Sequence, residues 1–172
     1  MNYEKIELKE ISKMIDPIEE MRTKNWFLVT AQDSEGINTL TAAWGSFGNV
    51  WEKKIVTIYI RPQRYTKKFI DNSQEFTITF FDGYQNEMGY LGKTSGRDVP
   101  NKIEKSGLHL TEIDGKPTFE EGKLVLVCKT LYKDSFKPEN FIDKEIPEKI
   151  YPNKDYSVMY IAEITNAYIK NN

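Results

Sequence analysis

The chain has 172 residues, a formal net charge of -2, and 39% hydrophobic and 29% charged residues. These values suit one folded domain over residues 1–172 and give no general reason to expect nucleic-acid or membrane binding. A single cysteine excludes an intrachain disulfide, a single histidine makes a transition-metal site or histidine-based triad hard to build, and no apolar run approaches the roughly 20 residues that cross a bilayer.

Without a signal peptide, the chain is expected in a reducing, cytoplasmic setting. In chain order, "NWFLVTAQ" reads as a strand, and "AQDSEGIN" as a hairpin with turn chemistry from Asp33 to Gly36. "GINTLTAAWGS" is the next strand, its alternation placing Thr39, Thr41 and Ala43 on one face and Leu40, Ala42 and Trp44 on the other. "KIVTIYI" is a third strand. "RYTKKFIDNSQ" sets Tyr65, Phe69 and Ile70 on one helical face. After the strand "EFTITFF", "VPNKIEKSG" is a short helix from Pro100 to Gly107. "LHLTEI", "KLVLVCKTLYKDSF" and "SVMYIAEITNAYIK" complete seven strands, with an amphipathic turn or two in "ENFIDKEIPEKIY". Cys128 reads as a buried thiol without catalytic duty, and His109 as a strand or turn residue. Few helices and no repeats predict a mainly antiparallel β-barrel with helices outside.

The stretch "GYLGKTSGRDVPNK" contains Gly92-Lys93-Thr94, the end of a triphosphate-binding P-loop. The position of the first glycine holds Glu87, whose carboxylate repels an anion, and Pro100 interrupts the long helix that such a loop opens, so a triphosphate site is disfavoured. A smaller anion is another matter. Arg61 and Arg64 flank a strand-to-helix junction where a helix N-terminus offers free N–H groups, and Thr66 adds a hydroxyl. Taken alone, the same residues read more readily as solvated arginines and a helix cap. "TSGRDVPNK" repeats the chemistry with Ser95, Gly96, Arg97 and Lys102, while Asp98 is expected to cap the short helix or pair with Arg97. The small residues Thr41, Ala42 and Ala43 would admit a flat ligand to the backbone, with Trp44 over one face; a core strand is the alternative reading.

Together, "NTLTAAWGS", "YIRPQRYT", "FTITFF" and "GKTSGRDVPNK" with "SGLHL" after it resemble the successive signatures of the flavin reductase-like family, closest to its flavoredoxin branch, over roughly residues 20 to 165. The resemblance implies a Greek-key split β-barrel of six strands with a few accessory helices, a homodimer, and FMN bound non-covalently near the subunit interface. By position, Asn38 and Thr41-Ala42-Ala43 would meet the isoalloxazine edge beside Trp44. Arg61, Arg64, Tyr65 and Thr66 would lie by the phosphate and ribityl chain, with Ser95, Gly96, Arg97 and Lys102 as the second phosphate-side segment. The implied activity is an FMN-dependent oxidoreductase taking electrons from NAD(P)H or a ferredoxin-like donor, with a non-enzymatic FMN-binding electron carrier as the alternative. The chain departs from the pattern at Ser157, where the branch tends to have histidine.

Overall fold

The computed structural model describes residues 3–21 and 25–171. Among these residues ten strands form: β1 (Tyr3–Ile6), β2 (Phe27–Asp33), β3 (Gly36–Ala42), β4 (Gly45–Val50), β5 (Lys53–Ile60), β6 (Glu75–Phe80), β7 (Leu110–Ile113), β8 (Lys116–Phe119), β9 (Leu124–Ser135) and β10 (Val158–Lys170). Six α-helices accompany them: α1 (Ile11–Met14), α2 (Pro17–Glu20), α3 (Thr66–Ser73), α4 (Gln85–Lys93), α5 (Lys102–Ser106) and α6 (Glu145–Ile150). None of the described helices is long and apolar enough to cross a membrane.

Eight strands make one antiparallel sheet, in the order β3-β2-β6-β9-β10-β5-β4 with β1 on β10, where the resemblance implies six. β10 explains the curl. One of its edges pairs with β9 along most of its length, while the other pairs with β5 at Val158–Glu163 and with β1 at Ala167–Lys170. Register shifts between Ile161 and Ala162 and between Ile164 and Asn166 bend it between those two partners. Alternate residues then converge on one core: Phe27 and Val29 of β2, Leu40 of β3, Val56 and Ile58 of β5, Phe76, Ile78 and Phe80 of β6, Leu124, Leu126 and Cys128 of β9, and Tyr160 and Ala162 of β10. A sheet whose strands share one interior must roll around it. Burial of Cys128 pushes its thiol pKa far up, as befits an inert core residue.

Outside the roll, β6 is also covered. The Thr77 hydroxyl donates to the Pro117 carbonyl at 2.6 Å, and the Thr79 and Thr118 hydroxyls pair at 2.8 Å, which docks the β7–β8 hairpin. The hairpin of β2 and β3 turns where expected, with Asp33 opposite Gly36 and the Asp33 carboxylate accepting the Glu35 N–H at 2.8 Å. Two expected features differ. β3 ends at Ala42, so Trp44 lies in the link to a separate β4 and is 38% exposed, which sets aside the alternative of a core strand running through it. Residues 85–93, assigned to no element from the sequence, form α4, which packs Met88 and Leu91 against Leu28 and Phe119.

Candidate functional site

Two cavities adjoin beside β3. The first, about 180 Å³, is bordered by Leu40, by Gln63 to Thr66 at the entry to α3, by Gly92 to Gly96 at the exit of α4, and by Lys102. The second, about 260 Å³, is bordered by Leu40 to Trp44, Tyr59 to Arg61, Gln63, Arg64 and Ser157. Leu40, Gln63 and Arg64 belong to both. Each alone is below the roughly 300 Å³ at which ligand pockets begin, so an ordinary ligand would fill the pair. Larger depressions lie beside Phe47 and beside Phe141, but Lys102, the one fully buried cation among the described residues, borders neither.

The first cavity is electropositive for a structural reason. After β5 the chain turns, with the Arg64 N–H donating to the Arg61 carbonyl at 3.1 Å, and this sends the Arg64 side chain between β3 and α4. There Nη1 donates to the Gly92 carbonyl at 2.7 Å and Nη2 to the Thr41 carbonyl at 3.3 Å. Lys102, 2% exposed, donates from Nζ to the carbonyls of Thr39 (2.7 Å), Leu91 (3.2 Å) and Thr94 (2.9 Å). Alternate carbonyls of the edge strand are thus each held by a cation. Among the described residues, neither cation meets a carboxylate. Burial, reinforced by the neighbouring Arg64 charge, depresses the Lys102 ammonium to about 8, and burial also lowers Arg64.

Helix α3 adds unsatisfied donors. The N–H groups of Lys67 and Lys68 reach the carbonyls of Arg64 and Tyr65, whereas those of Tyr65 and Thr66 meet no acceptor among the described residues. Buried Thr66 sits at the first helical position and does not cap; the cap residue is Tyr65, without a side-chain bond. These donors stand at the positive end of the helix dipole. On the opposite wall, the Arg97 N–H donates to the Ser95 hydroxyl at 3.2 Å. A Cβ on Gly96 would lie 2.7 Å from Asn38 Oδ1, so only glycine lets the loop cross here. Likewise a Cβ on Gly92 would lie 3.1 Å from Thr41 Cβ, and the Thr41 hydroxyl donates to the Met88 carbonyl at 2.6 Å, holding α4 tight to β3. Gly92 and Lys93 close α4, and Thr94 comes directly after it. A P-loop opens a helix, so the apparent motif has the wrong polarity for a triphosphate site.

The expected site residues therefore divide. Arg64, Tyr65, Thr66, Ser95, Gly96 and Lys102 gather at the first cavity; Thr41, Ala42, Ala43 and Trp44 border the second. Five residues stand differently from the simplest reading of the sequence. Arg61 lies on the second cavity, ion-paired with Asp155 at 2.5 Å and donating to the Ile150 carbonyl at 2.7 Å, so it does not reach the first. Lys102 has three carbonyl acceptors for its three protons, and ties the end of α4 to β3. Asn38 borders neither cavity: it is 4% exposed beneath Gly96, with Nδ2 lacking a partner among the described residues. Arg97 is exposed, its guanidinium 5.4 Å from the Tyr65 ring centre, and Asp98 neither caps α5 nor pairs with it. Sequence reasoning missed Gln63, Tyr151 and Asp155. Gln63 Nε2 donates to Asp155 Oδ2 at 2.8 Å, and Arg61 is the leading cause that lowers the Asp155 pKa. No group of acidic, cysteine and histidine side chains suited to a metal occurs among the described residues, and His109 pairs on the surface with Glu121 at 2.7 Å.

No family model matches the chain. An uncharacterized protein of Aeropyrum pernix is 30% identical over 97 residues, covering 55% of this chain; the chain spans 36% of that protein's length. Among solved structures, an FMN-binding domain of a flavin reductases-like enzyme from Shewanella baltica superposes with a TM-score of 0.72 at 20% identity, over 98% of this chain and 78% of that one. Flavoredoxin from Methanosarcina acetivorans gives 0.64 at 19% identity, over 84% and 68%. A Shewanella frigidimarina protein described by its split barrel domain gives 0.69 at 16% identity, over 97% and 76%. The fold is the mainly β split barrel of the flavin reductase-like proteins and flavoredoxins.

Proposed function

We propose that the chain binds FMN across the two cavities and works as an FMN-dependent oxidoreductase, passing electrons from NAD(P)H or a protein donor to a small or protein acceptor. One observation carries this reading: half-buried Arg64 and buried Lys102, two cations without carboxylate partners among the described residues, stand beside unpartnered N–H groups of Tyr65 and Thr66, in a protein of net charge -2. Uncompensated charge withdrawn from water is unfavourable, and a phosphate monoester, carrying about -1.5 to -2 near neutrality, offsets it. The neighbouring wall fits the rest of such a ligand. Thr41, Ala42 and Ala43 present small side chains to a planar group, and Trp44 stands at the rim. Neighbours named for FMN binding and for flavoredoxin support the same reading.

FMN, when bound, supplies hydride and single-electron chemistry. The chain's part is binding and orientation. Arg64 and the start of α3 would hold the phosphate. Ser95 and Gly96 would close the opposite wall, and the alanine-rich end of β3 would set how closely the ring approaches the backbone. A homodimer, with a second copy covering the half-exposed Trp44 rim, belongs to the same proposal. The sequence contains no G-x-G-x-x-G fingerprint, and a nicotinamide that stacks on the ring needs none.

The visible spectrum of the purified protein, with FMN titration of stripped protein, tests the cofactor. Flavin bands and saturable binding are expected, and absence of both would defeat the proposal. Steady-state NADH and NADPH oxidation then separates enzyme from carrier. Failure with either nicotinamide, together with fast reduction by a ferredoxin-like donor, would favour the carrier.

A further inference from the structure

Strand β10 leaves a seam along its divided edge. β5 pairs with it up to Glu163 and β1 takes over only at Ala167, so residues 164–166 of that edge have neither strand beside them. A cavity of about 300 Å³ opens at this seam, with Ile164 and Ile55 on one side and Leu8 and Ile11, which follow β1, on the other. Phe47 of β4 also borders it and stacks inward on Phe80, ring centres 6.4 Å apart, so the floor is the barrel core. The cavity touches β5 at Lys54 and Ile55, whereas the second cavity of the proposed flavin site touches the same strand at Tyr59 and Ile60. Roughly 13 Å of extended chain separates Ile55 from Tyr59.

The hollow depends on position 48. A Cβ on Gly45 would collide with Met21 Sδ and the Thr57 carbonyl, but a Cβ on Gly48 would meet only Ile55 Cδ1 within 4 Å, at 3.7 Å. Backbone packing therefore does not require glycine there; its effect is a wall without a side chain. The mouth is cationic. Exposed Lys9 and Lys54 border it with Ser12 and Asn49, and neither lysine meets a carboxylate among the described residues. No carboxylate borders the cavity, and the acidic neighbours of Lys9 and Ile164 are taken, Glu10 by Lys13 at 2.6 Å and Glu163 by Lys53 at 2.8 Å.

We infer that this seam is a second binding site, separate from the flavin site, for a small amphiphilic carboxylate of the medium-chain fatty acid kind. Its apolar body enters over Phe47 and Ile164, and its carboxylate rests between Lys9 and Lys54. An apolar hollow with two unneutralised cations at its mouth, in a protein of net charge -2, selects for an apolar body with an anionic end. Such a ligand bridges the segment after β1 to the β4–β5 hairpin, so binding closes the seam and stabilises the fold by mass action. Nothing in this depends on flavin binding.

The test is isothermal titration of octanoate, octanol and octylamine into the full chain as purified, with thermal melts and sedimentation, repeated on Gly48→Leu and on the Lys9→Gln/Lys54→Gln double variant. Octanoate should saturate a single site per chain and raise the melting temperature as its concentration rises. Octanol should bind more weakly, and octylamine should not bind. The lysine pair variant should weaken octanoate by about threefold to tenfold, the range for two exposed charge contacts, and leave octanol unchanged. Gly48→Leu, which fills the hollow, should abolish binding of both while the FMN titration stays as it was. No saturable octanoate binding, octylamine bound as tightly as octanoate, or octanoate affinity unaltered in both variants would overturn the inference. So would a dimer that Gly48→Leu splits into monomers, because a second copy would then occupy the seam. Should Gly48→Leu fail to fold, the two exposed lysines still decide.

Discussion

Arg61 and Arg64 leave the same strand end three residues apart, yet they enter unlike surroundings. Arg61 meets Asp155 at 2.5 Å, and its charge is cancelled where it stands. Among the described residues, Arg64 meets only the carbonyls of Gly92 and Thr41, so its charge is not cancelled by a carboxylate. Proximity to a cavity does not make a cation an anion receptor; what matters is whether a carboxylate has already neutralised it. On the proposed reading, phosphate would lie in the first cavity, beside both Arg64 and Lys102, and the ring in the second, against the wall where Arg61 is already neutralised.

The sharpest way to break this contrast is to remove each arginine in turn. Arg64→Met should weaken FMN by roughly tenfold to a hundredfold, the range for one charge-assisted contact, while changing riboflavin far less. Arg61→Met should leave the preference of FMN over riboflavin within about threefold of the unmodified protein, because an ion pair that keeps part of its surface in water contributes little. Equal losses of that preference would merge the two regions again. Isothermal titration of both flavins against each variant checks it.

Gly96→Ala comes next. The new methyl would stand 2.7 Å from Asn38 Oδ1, forcing the 95–97 loop outward. Overpacking of this kind costs about 1–3 kcal/mol, so FMN affinity should fall by about tenfold with little change in secondary structure by circular dichroism. Unaltered affinity would show that the loop's approach to the cavity is irrelevant.

The smallest expected effect is the pH response of Lys102, whose folded-state pKa is depressed to about 8 from an ordinary value near 10.5. Between those values the unfolded chain binds more protons than the folded one, so this residue makes the ligand-free protein more stable as pH rises from 8 toward 10.5. FMN affinity should move the other way, falling as the ammonium is lost. Opposed trends, both diminished in Lys102→Met, are expected from thermal melts and titrations at about pH 7, 8 and 9. Parallel trends would mean that the Lys102 charge does not act on the ligand.

Much of this was legible in the sequence because it is local. The alternation of "EFTITFF" and "KLVLVC", the Asp33–Gly36 turn, and the helical face of Phe69 and Ile70 each report on residues a few positions apart. The junction of β5 with α3 was legible for the same reason. Helix α4 was not. Gly89 and Gly92 lower its intrinsic helix propensity, and their value lies in close approach to Trp26 and Thr41, which only the folded chain brings near. The break between β3 and β4 has no turn residue at Ala43 or Trp44; it is marked by Gly45, whose Cβ would meet Met21 Sδ and the Thr57 carbonyl. The partner of Arg61 was not legible because its carboxylate lies 94 positions away. Lys102 looked like a ligand contact because a sequence cannot show that three carbonyls, two of them from α4 and its cap and one from β3, already claim its protons.

The ratio of FMN to riboflavin affinity on the unmodified, stripped protein tests the central claim most directly, because the two molecules share the ring and differ at the phosphate. With the Arg64 and Lys102 charges and the α3 amides all acting on that phosphate, FMN should bind at least about a hundredfold more tightly. Equal affinity for the two would contradict the account.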